Sequence, residues 1–542
     1  MNRGLLFLRE QFDRPTSPRV AAIVGAVALT IAAALVFLRL GFYPFWGDEA
    51  DTVIFARGVW ETGDLSPWYG ENLYAYRNGT LLEHLKGRSA PPLAYYLVAP
   101  FWGVFGADRF ALRLPFALCG LATLAVVLRW AYRRGADVGT FVLLAFAASA
   151  NTALLLYSRQ CRYFALGLLT TAACGYLYDT FDGSRRKLVG LAFCLTLSAA
   201  THYLNFAATA AAIVCDFLVW RRREVSPSLK QWLVLVGPPA LALAGLAYVY
   251  NPLGKNLPAV PLEPDTPADR FCLMTKMFLG LNDNEFGVGL LVAAAPIVGF
   301  AWRKAAPLRM FAAAAVFVCV TTGLSPQPAK SAIEPDVRYL APLIPLCLAL
   351  TVYVVRSLTR FAPWLGAGLM IVAVGSNVLH VPWAPNLWRS TIAEFAHELA
   401  HPRRTAGEEV GAWLRSQVGP GETVWIVPNE WCAPQLILAP HVRYAWQLDA
   451  PRRADDYREL PAIHFFPHEP VDWIVVFGFE SVRAQVETAV LPAMRNLGYR
   501  YEPAGMIDRF YDDRTRPELH WHWFRDRPYD KTTEGVYVYR RR

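Results

Sequence analysis

The chain has 542 residues, 54% of them hydrophobic and only 18% charged, with a net charge of +9. Soluble domains carry about 25% charged residues, so a wholly soluble protein is excluded. The basic excess lies in short Arg clusters between apolar runs, which excludes a nucleic-acid-binding stripe, and nine dispersed cysteines with no CxxC pair exclude a disulfide framework and a zinc site.

Arg3, Arg9, Arg14 and Arg19 precede the apolar run Val20–Leu38. That run is longer than a signal-peptide core of about 7–15 residues, so it is expected to be an uncleaved first span. A spanning helix needs about 20 apolar residues. On that criterion further spans are expected near 110–130, 138–157, 163–180, 188–202, 203–220, 231–250, 286–302, 308–324, 338–355 and 362–382, which makes eleven with 20–40. The apolar stretch Leu93–Gly106 is short, follows Pro91-Pro92 and contains Pro100, so it is expected to lie at the interface without crossing. With that threading, the clusters Arg129/Arg133/Arg134, Arg185/Arg186/Lys187, Arg221/Arg222/Arg223, Arg303/Lys304 and Arg356/Arg360 all fall on the side of the N-terminus. This obeys the positive-inside rule.

The outer side then receives 41–109, 158–162, the turn at His202, 251–285, 325–338 and everything after about Pro382. The expected division is a transmembrane domain over 1–382, with the large first outer loop 41–109, and an outer soluble domain over 383–542. In the latter, a helix near Thr405–Val418, strands Thr423–Val427 and Trp473–Phe477, a helix Glu480–Leu497 and a strand near Val536–Tyr539 predict an α/β domain. No Gly-rich phosphate loop follows either main strand, so no nucleotide site is expected.

Three places carry candidate chemistry. Gly47-Asp48-Glu49-Ala50 follows the first span; its plain reading is an acidic first helical turn. The same loop holds His84, Lys86 and Arg88, and a carboxylate among cations at a lipid surface suits a base beside a phosphate. Between two spans stand Arg159, Gln160, Cys161, Arg162 and Tyr163. The two arginines three apart share a helix face and could contact headgroups or clamp a phosphate, which Arg matches in a bidentate way. Glu334-Pro335-Asp336-Val337-Arg338-Tyr339 enters the tenth span, where Arg338 could clamp the same phosphate or pair with its acidic neighbours. His202 sits at an outer turn and reads as structural or substrate-binding.

Five stretches, Gly47-Asp48-Glu49-Ala50, Ala90-Pro91-Pro92-Leu93-Ala94-Tyr95-Tyr96, Arg113-Leu114-Pro115, Arg159-Gln160-Cys161-Arg162-Tyr163 and Arg338-Tyr339-Leu340-Ala341-Pro342-Leu343-Ile344-Pro345, together resemble the membrane glycosyltransferases of the C-type (GT-C) fold. The match is with bacterial relatives of the protein O-mannosyltransferases and of the lipid A aminoarabinose transferase. The resemblance covers about 20–382. It implies a polytopic helical protein of the bacterial inner membrane whose site and C-terminal domain are periplasmic. It further implies an inverting transfer from a polyprenyl-phosphate-linked sugar to an acceptor glycan, lipid or protein, with Asp48 as base and Glu49 orienting it or the acceptor. Arg159, Arg162, Lys86, Arg88 and Arg338 become candidate phosphate ligands, and Tyr163, His84, His202 and Tyr339 candidate substrate contacts. Gln160 stands where many relatives carry an acid, which weakens a divalent-metal version; no other cofactor is implied, and the partners are lipids and substrate, without nucleic acid. Ala90 stands where some relatives carry Lys or His, which shifts that role to Lys86 or Arg88. The alternative classes are a lipid-linked glycan transporter or flippase, which would carry charges inside its spans, and a receptor or scaffold built on the outer domain.

Overall fold

The computed structural model describes residues 10–75, 82–83, 85–87, 91–222, 228–250, 265–325, 329–330, 336–360, 362–382, 385–402, 405–447, 465–466, 470–477, 480–507 and 535–542. They fall into two compact units. The first comprises Met1–Arg39, Phe116–Tyr248 and Leu262–His401; the second comprises Leu40–Pro115, Val249–Pro261 and Pro402–Arg542.

The first unit is helical. Among the described residues, six helices in the chain are long and apolar enough to cross a membrane: Pro18–Phe37, Arg109–Arg133, Tyr203–Arg221, Leu229–Tyr250, Ala305–Leu324 and Val337–Leu358. A seventh arises if Val138–Ala150 and Thr152–Ser158, bent by 53°, form one span. The chain is therefore a multi-pass membrane protein. The bend has a local cause: Asn151 leaves the helical region and its Oδ1 accepts the Leu154 N–H at 2.9 Å, so the second half starts on a fresh N-cap. The other expected spans correspond to shorter helices, Phe164–Asp179, Arg185–Thr201, Gly289–Ala301 and Pro363–Gly375.

One further helix, Pro267–Asp283, occupies a stretch expected as loop; it starts on a capping box in which Thr266 and Asp269 exchange hydrogen bonds of 2.8 and 3.2 Å. Two acids inside expected spans are paired at the helix ends that carry the basic clusters. Asp216 accepts from Arg309 at 2.8 and 2.7 Å and from the Tyr178 hydroxyl at 2.7 Å. Asp179 pairs with Arg134 and accepts the Trp130 indole N–H at 2.7 Å.

The second unit groups the segment that follows the first long helix with the C-terminal segment. Its sheet has the order β7-β6-β5-β8-β10-β9, where β5 is Thr423–Val427, β6 Arg443–Gln447, β7 Phe465–Phe466, β8 Trp473–Val476, β9 Tyr501–Ile507 and β10 Val536–Arg541. The strands β5, β6, β7 and β8 run parallel, and β10 and β9 close the far side antiparallel. Trp425, Ile474, Val476, Val486, Met494 and Tyr539 pack as one apolar cluster on this sheet. The expected helix over 480–497 is present as three consecutive segments, the middle one, Val486–Val490, a π turn.

Earlier in the same unit, β1 (Trp68–Tyr69) pairs with β2 (Asn72–Leu73), and β3 (Leu82–Glu83) with β4 (Lys86–Gly87). Two helices, Gly47–Thr62 and Leu93–Phe105, pack side by side. A Cβ at Gly103 would lie 2.2 Å from the Trp60 ring, so only glycine permits that approach. Tyr96, Val104 and Phe105 stay exposed on the outer side of Leu93–Phe105.

Candidate active site

The acidic pair opens the Gly47–Thr62 helix, with Trp46 as N-cap. Its two carboxylates have different surroundings. Asp48 is half-buried. Glu49 is fully buried and held by Arg113, whose Nε and Nη2 donate to its two oxygens at 2.8 and 2.6 Å. The remaining guanidinium hydrogens go to the carbonyls of Leu40 and Tyr43 at 2.9 Å and of Pro44 at 3.0 Å. One arginine thus neutralises the buried acid and fixes the strand of chain leading into the helix. Glu49 Oε2 also accepts the backbone Trp46 N–H at 3.4 Å, which ties the N-cap residue to the first turn. Asp51, buried a turn later, accepts the Tyr74 hydroxyl.

The loop cations are engaged locally. Lys86 pairs with Asp64 at 2.7 Å and is half exposed. Arg57 donates to the Trp68 carbonyl at 2.7 Å, pairs with Glu61 at 2.9 Å and lies over the Tyr69 ring at 4.6 Å. Burial pushes the Tyr69 phenol up to about 12, against the opposing pull of Arg57. His84, Arg88 and Glu334 lie outside the described residues.

In the helical unit three distant pieces of sequence meet. The Tyr163 and His202 rings stack at 4.6 Å and 20°, and the His202 and Tyr339 rings at 5.4 Å and 27°. The three-ring ladder has a guanidinium at each end: Arg162 lies 5.1 Å from the Tyr163 ring and Arg338 5.8 Å from the Tyr339 ring. The break between the helices Arg185–Thr201 and Tyr203–Asp216 presents His202, and a 3-10 turn, Val337–Leu343, presents Arg338 and Tyr339. Pro342 and Pro345, which lack an N–H, sit at the change from that turn to the α-helix Ile344–Leu358. Asp336 holds Arg338 Nε at 2.7 Å, so the sequence alternative of a local pair is present alongside the ladder. Two cations, Arg162 buried and Arg338 half-buried, with three half-buried rings, suit an anion joined to a ring-shaped group.

Arg159, expected as a phosphate ligand, reaches the end of the first long helix. Its Nη1 donates to the carbonyls of Leu35, Val36 and Leu38 at 2.9, 2.6 and 2.9 Å, and its Nη2 to Arg39 O at 3.2 Å. These are the orphan carbonyls at the end of Pro18–Phe37, which a cation caps favourably. Gln160 is fully buried, and among the described residues no group of three or more His, Cys, Asp or Glu side chains forms a metal-binding cluster. The residue that sequence reasoning missed is Arg113, read only as part of an Arg-Leu-Pro stretch. The signal was a charge set inside the apolar run of a helix, which needs a buried counter-ion.

No family model and no curated protein sequence matches the chain. Solved structures do. The crystal structure of ArnT from Cupriavidus metallidurans in the apo state superposes with a TM-score of 0.53 at 14% identity, over 95% of this chain and 97% of that one. The same protein bound to undecaprenyl phosphate gives 0.54 at 14% identity, over 96% and 98%.

Proposed function

From a chain that has the GT-C fold of membrane glycosyltransferases, we propose an inverting glycosyltransferase that moves a sugar from a polyprenyl-phosphate carrier to an acceptor hydroxyl on the outer face of the membrane. The observation that carries this reading is the ladder Tyr163–His202–Tyr339 with Arg162 and Arg338 at its ends. Arg162 and Arg338 bind the donor phosphate, and the rings contact the group attached to it. Lys86, Arg88 and His84 are secondary candidates from the first loop. The undecaprenyl phosphate bound to ArnT supports the carrier class.

Asp48 takes the proton of the acceptor hydroxyl as its oxygen attacks the anomeric carbon; the carbon–phosphate oxygen bond breaks and the polyprenyl phosphate leaves with the electron pair. A phosphate neutralised by arginine leaves without a general acid, so one carboxylate serves where hydrolysis of a sugar–sugar bond uses two. Glu49, committed to Arg113, orients the helix that carries Asp48.

The eleven-span threading puts this chemistry and the C-terminal sheet outside, in a bacterium at the periplasmic face of the inner membrane, because it keeps every basic cluster inside. The pairing of Asp179 and Asp216 at helix ends supports an enzyme over a transporter, whose charges would line a path.

The test is purified protein in lipid, supplied with polyprenyl-phospho-sugars and candidate acceptors. Wild type releases free polyprenyl phosphate with transfer, and Asp48→Asn does not. Transfer at the wild-type rate by Asp48→Asn overturns the assignment.

A further inference from the structure

The points at which the first loop joins the C-terminal sheet fall beside the Asp48 helix. Asn72, 3% exposed, accepts the Tyr444 N–H through Oδ1 at 2.9 Å and donates Nδ2 to the carbonyls of Val442 and Pro440 at 2.9 and 3.3 Å. Its amide therefore pairs with the start of β6 as another strand would. Two residues on, Tyr74 donates its hydroxyl to Asp51 and packs edge-on against Trp446 of β6, ring centroids 5.5 Å apart. Asp51 stands three positions after Asp48, on the same helix face. On the other flank Arg109 pairs with Glu408 at 2.8 Å and donates to the Phe42 carbonyl at 2.9 Å, in the chain that leads into the same helix.

We propose that the C-terminal domain is a positioning device for catalysis, with Asn72 and Tyr74 as the positioning residues that carry the placement of β6 through Asp51 to Asp48. The inference rests on the reading of Asp48 as the base. A buried amide with three partners and a tyrosine–carboxylate bond are directional, so they fix the rotation and height of the helix where apolar packing alone would let it slide. The domain's role follows from where it is attached: both anchor points bracket the first turn of one helix.

The experiment uses the full chain in lipid and compares Asn72→Ala and Tyr74→Phe, the latter removing one hydroxyl and keeping the ring on Trp446. Rates are taken per folded enzyme, counted by the monodisperse fraction. The expected result is a kcat lowered about 10- to 100-fold, the cost of misplacing a reacting group by about an ångström, with KM for the lipid donor changed by less than about twofold. The double variant Asp51→Ala/Tyr74→Phe loses no more than the worse of the two single ones, because removal of the acceptor or of the hydroxyl breaks the same bond. Wild-type kcat in Asn72→Ala and Tyr74→Phe, or additive losses in the double variant, overturns the inference. The two readings separate cleanly. Transfer by Asp48→Asn defeats the base assignment, whereas inactive Asp48→Asn beside fully active Asn72→Ala and Tyr74→Phe defeats positioning alone.

Discussion

Replacing Arg113 by methionine keeps the length and apolar stem of the side chain and removes its charge. Five hydrogen bonds disappear together: two to Glu49 and three to the carbonyls of Leu40, Tyr43 and Pro44. Glu49, with no solvent exposure, then loses the guanidinium that neutralises it. Removing one partner of a buried ion pair costs about 3–5 kcal/mol, a large share of a typical total stability of about 5–15 kcal/mol. The chain has a less costly response, which is to open the segment 40–49 and hydrate the carboxylate, so the loss appears locally. At about 1.4 kcal/mol per factor of ten, even the lower figure corresponds to about 100-fold faster amide exchange. Hydrogen exchange read by mass spectrometry on peptides covering 40–62 measures this directly. Glu49→Gln/Arg113→Met, which removes the stranded charge, recovers part of the protection. Exchange in Arg113→Met within about threefold of wild type would refute the claim that this pair holds the start of the Gly47–Thr62 helix.

Other substitutions separate binding from framework. Arg162→Met removes charge-assisted bonds to the donor phosphate worth about 1.5–3 kcal/mol, so KM for the donor rises roughly 10- to 100-fold while thermal inactivation is little changed. Arg159→Met uncaps the first helix, costing up to about 2 kcal/mol, and shows the opposite pattern: faster thermal inactivation with donor KM retained. His202→Leu breaks two stacked contacts of about 0.5–1.5 kcal/mol each and weakens binding of a polyprenyl phosphate without abolishing transfer. In the C-terminal sheet, the Tyr539 hydroxyl and Arg483 hold the Glu487 carboxyl below its ordinary range. Its contribution is complete above the ordinary glutamate value and is lost as pH falls through the depressed one, so Glu487→Gln flattens the acid limb of a stability–pH curve.

The membrane core was legible in part because apolar length is a local property: among the described residues six of the expected spans, or seven with the bent pair, are helices long and apolar enough to cross. The Pro267–Asp283 helix escaped because Asp269, Arg270 and Lys276 break an apolar count, although its Thr266–Asp269 capping box was readable. In the C-terminal domain β5 is an apolar run after a Gly-Pro-Gly turn and was visible. β6, Arg-Tyr-Ala-Trp-Gln, was not, because its burial depends on neighbours remote in sequence.

The ladder was half legible. Its members were singled out one by one, yet nothing in the chain shows that Tyr163, His202 and Tyr339 stack. Arg159 and Arg162 looked alike because a guanidinium fits helix carbonyls as well as phosphates. Only geometry distinguishes the cap from the candidate ligand. The partnership of the first loop with the C-terminal sheet was invisible for the same reason: the Asn72 side-chain amide bonds backbone groups of Tyr444, Val442 and Pro440, which every residue possesses.

The most direct measurement is a structure of the protein in lipid with a polyprenyl phosphate bound. The account predicts phosphate density within hydrogen-bonding distance of the guanidinium groups of Arg162 and Arg338, beside the Tyr163–His202–Tyr339 rings. Phosphate bound instead among Arg134, Arg221 and Arg309, at the ends of the helices where the basic clusters lie, would contradict it.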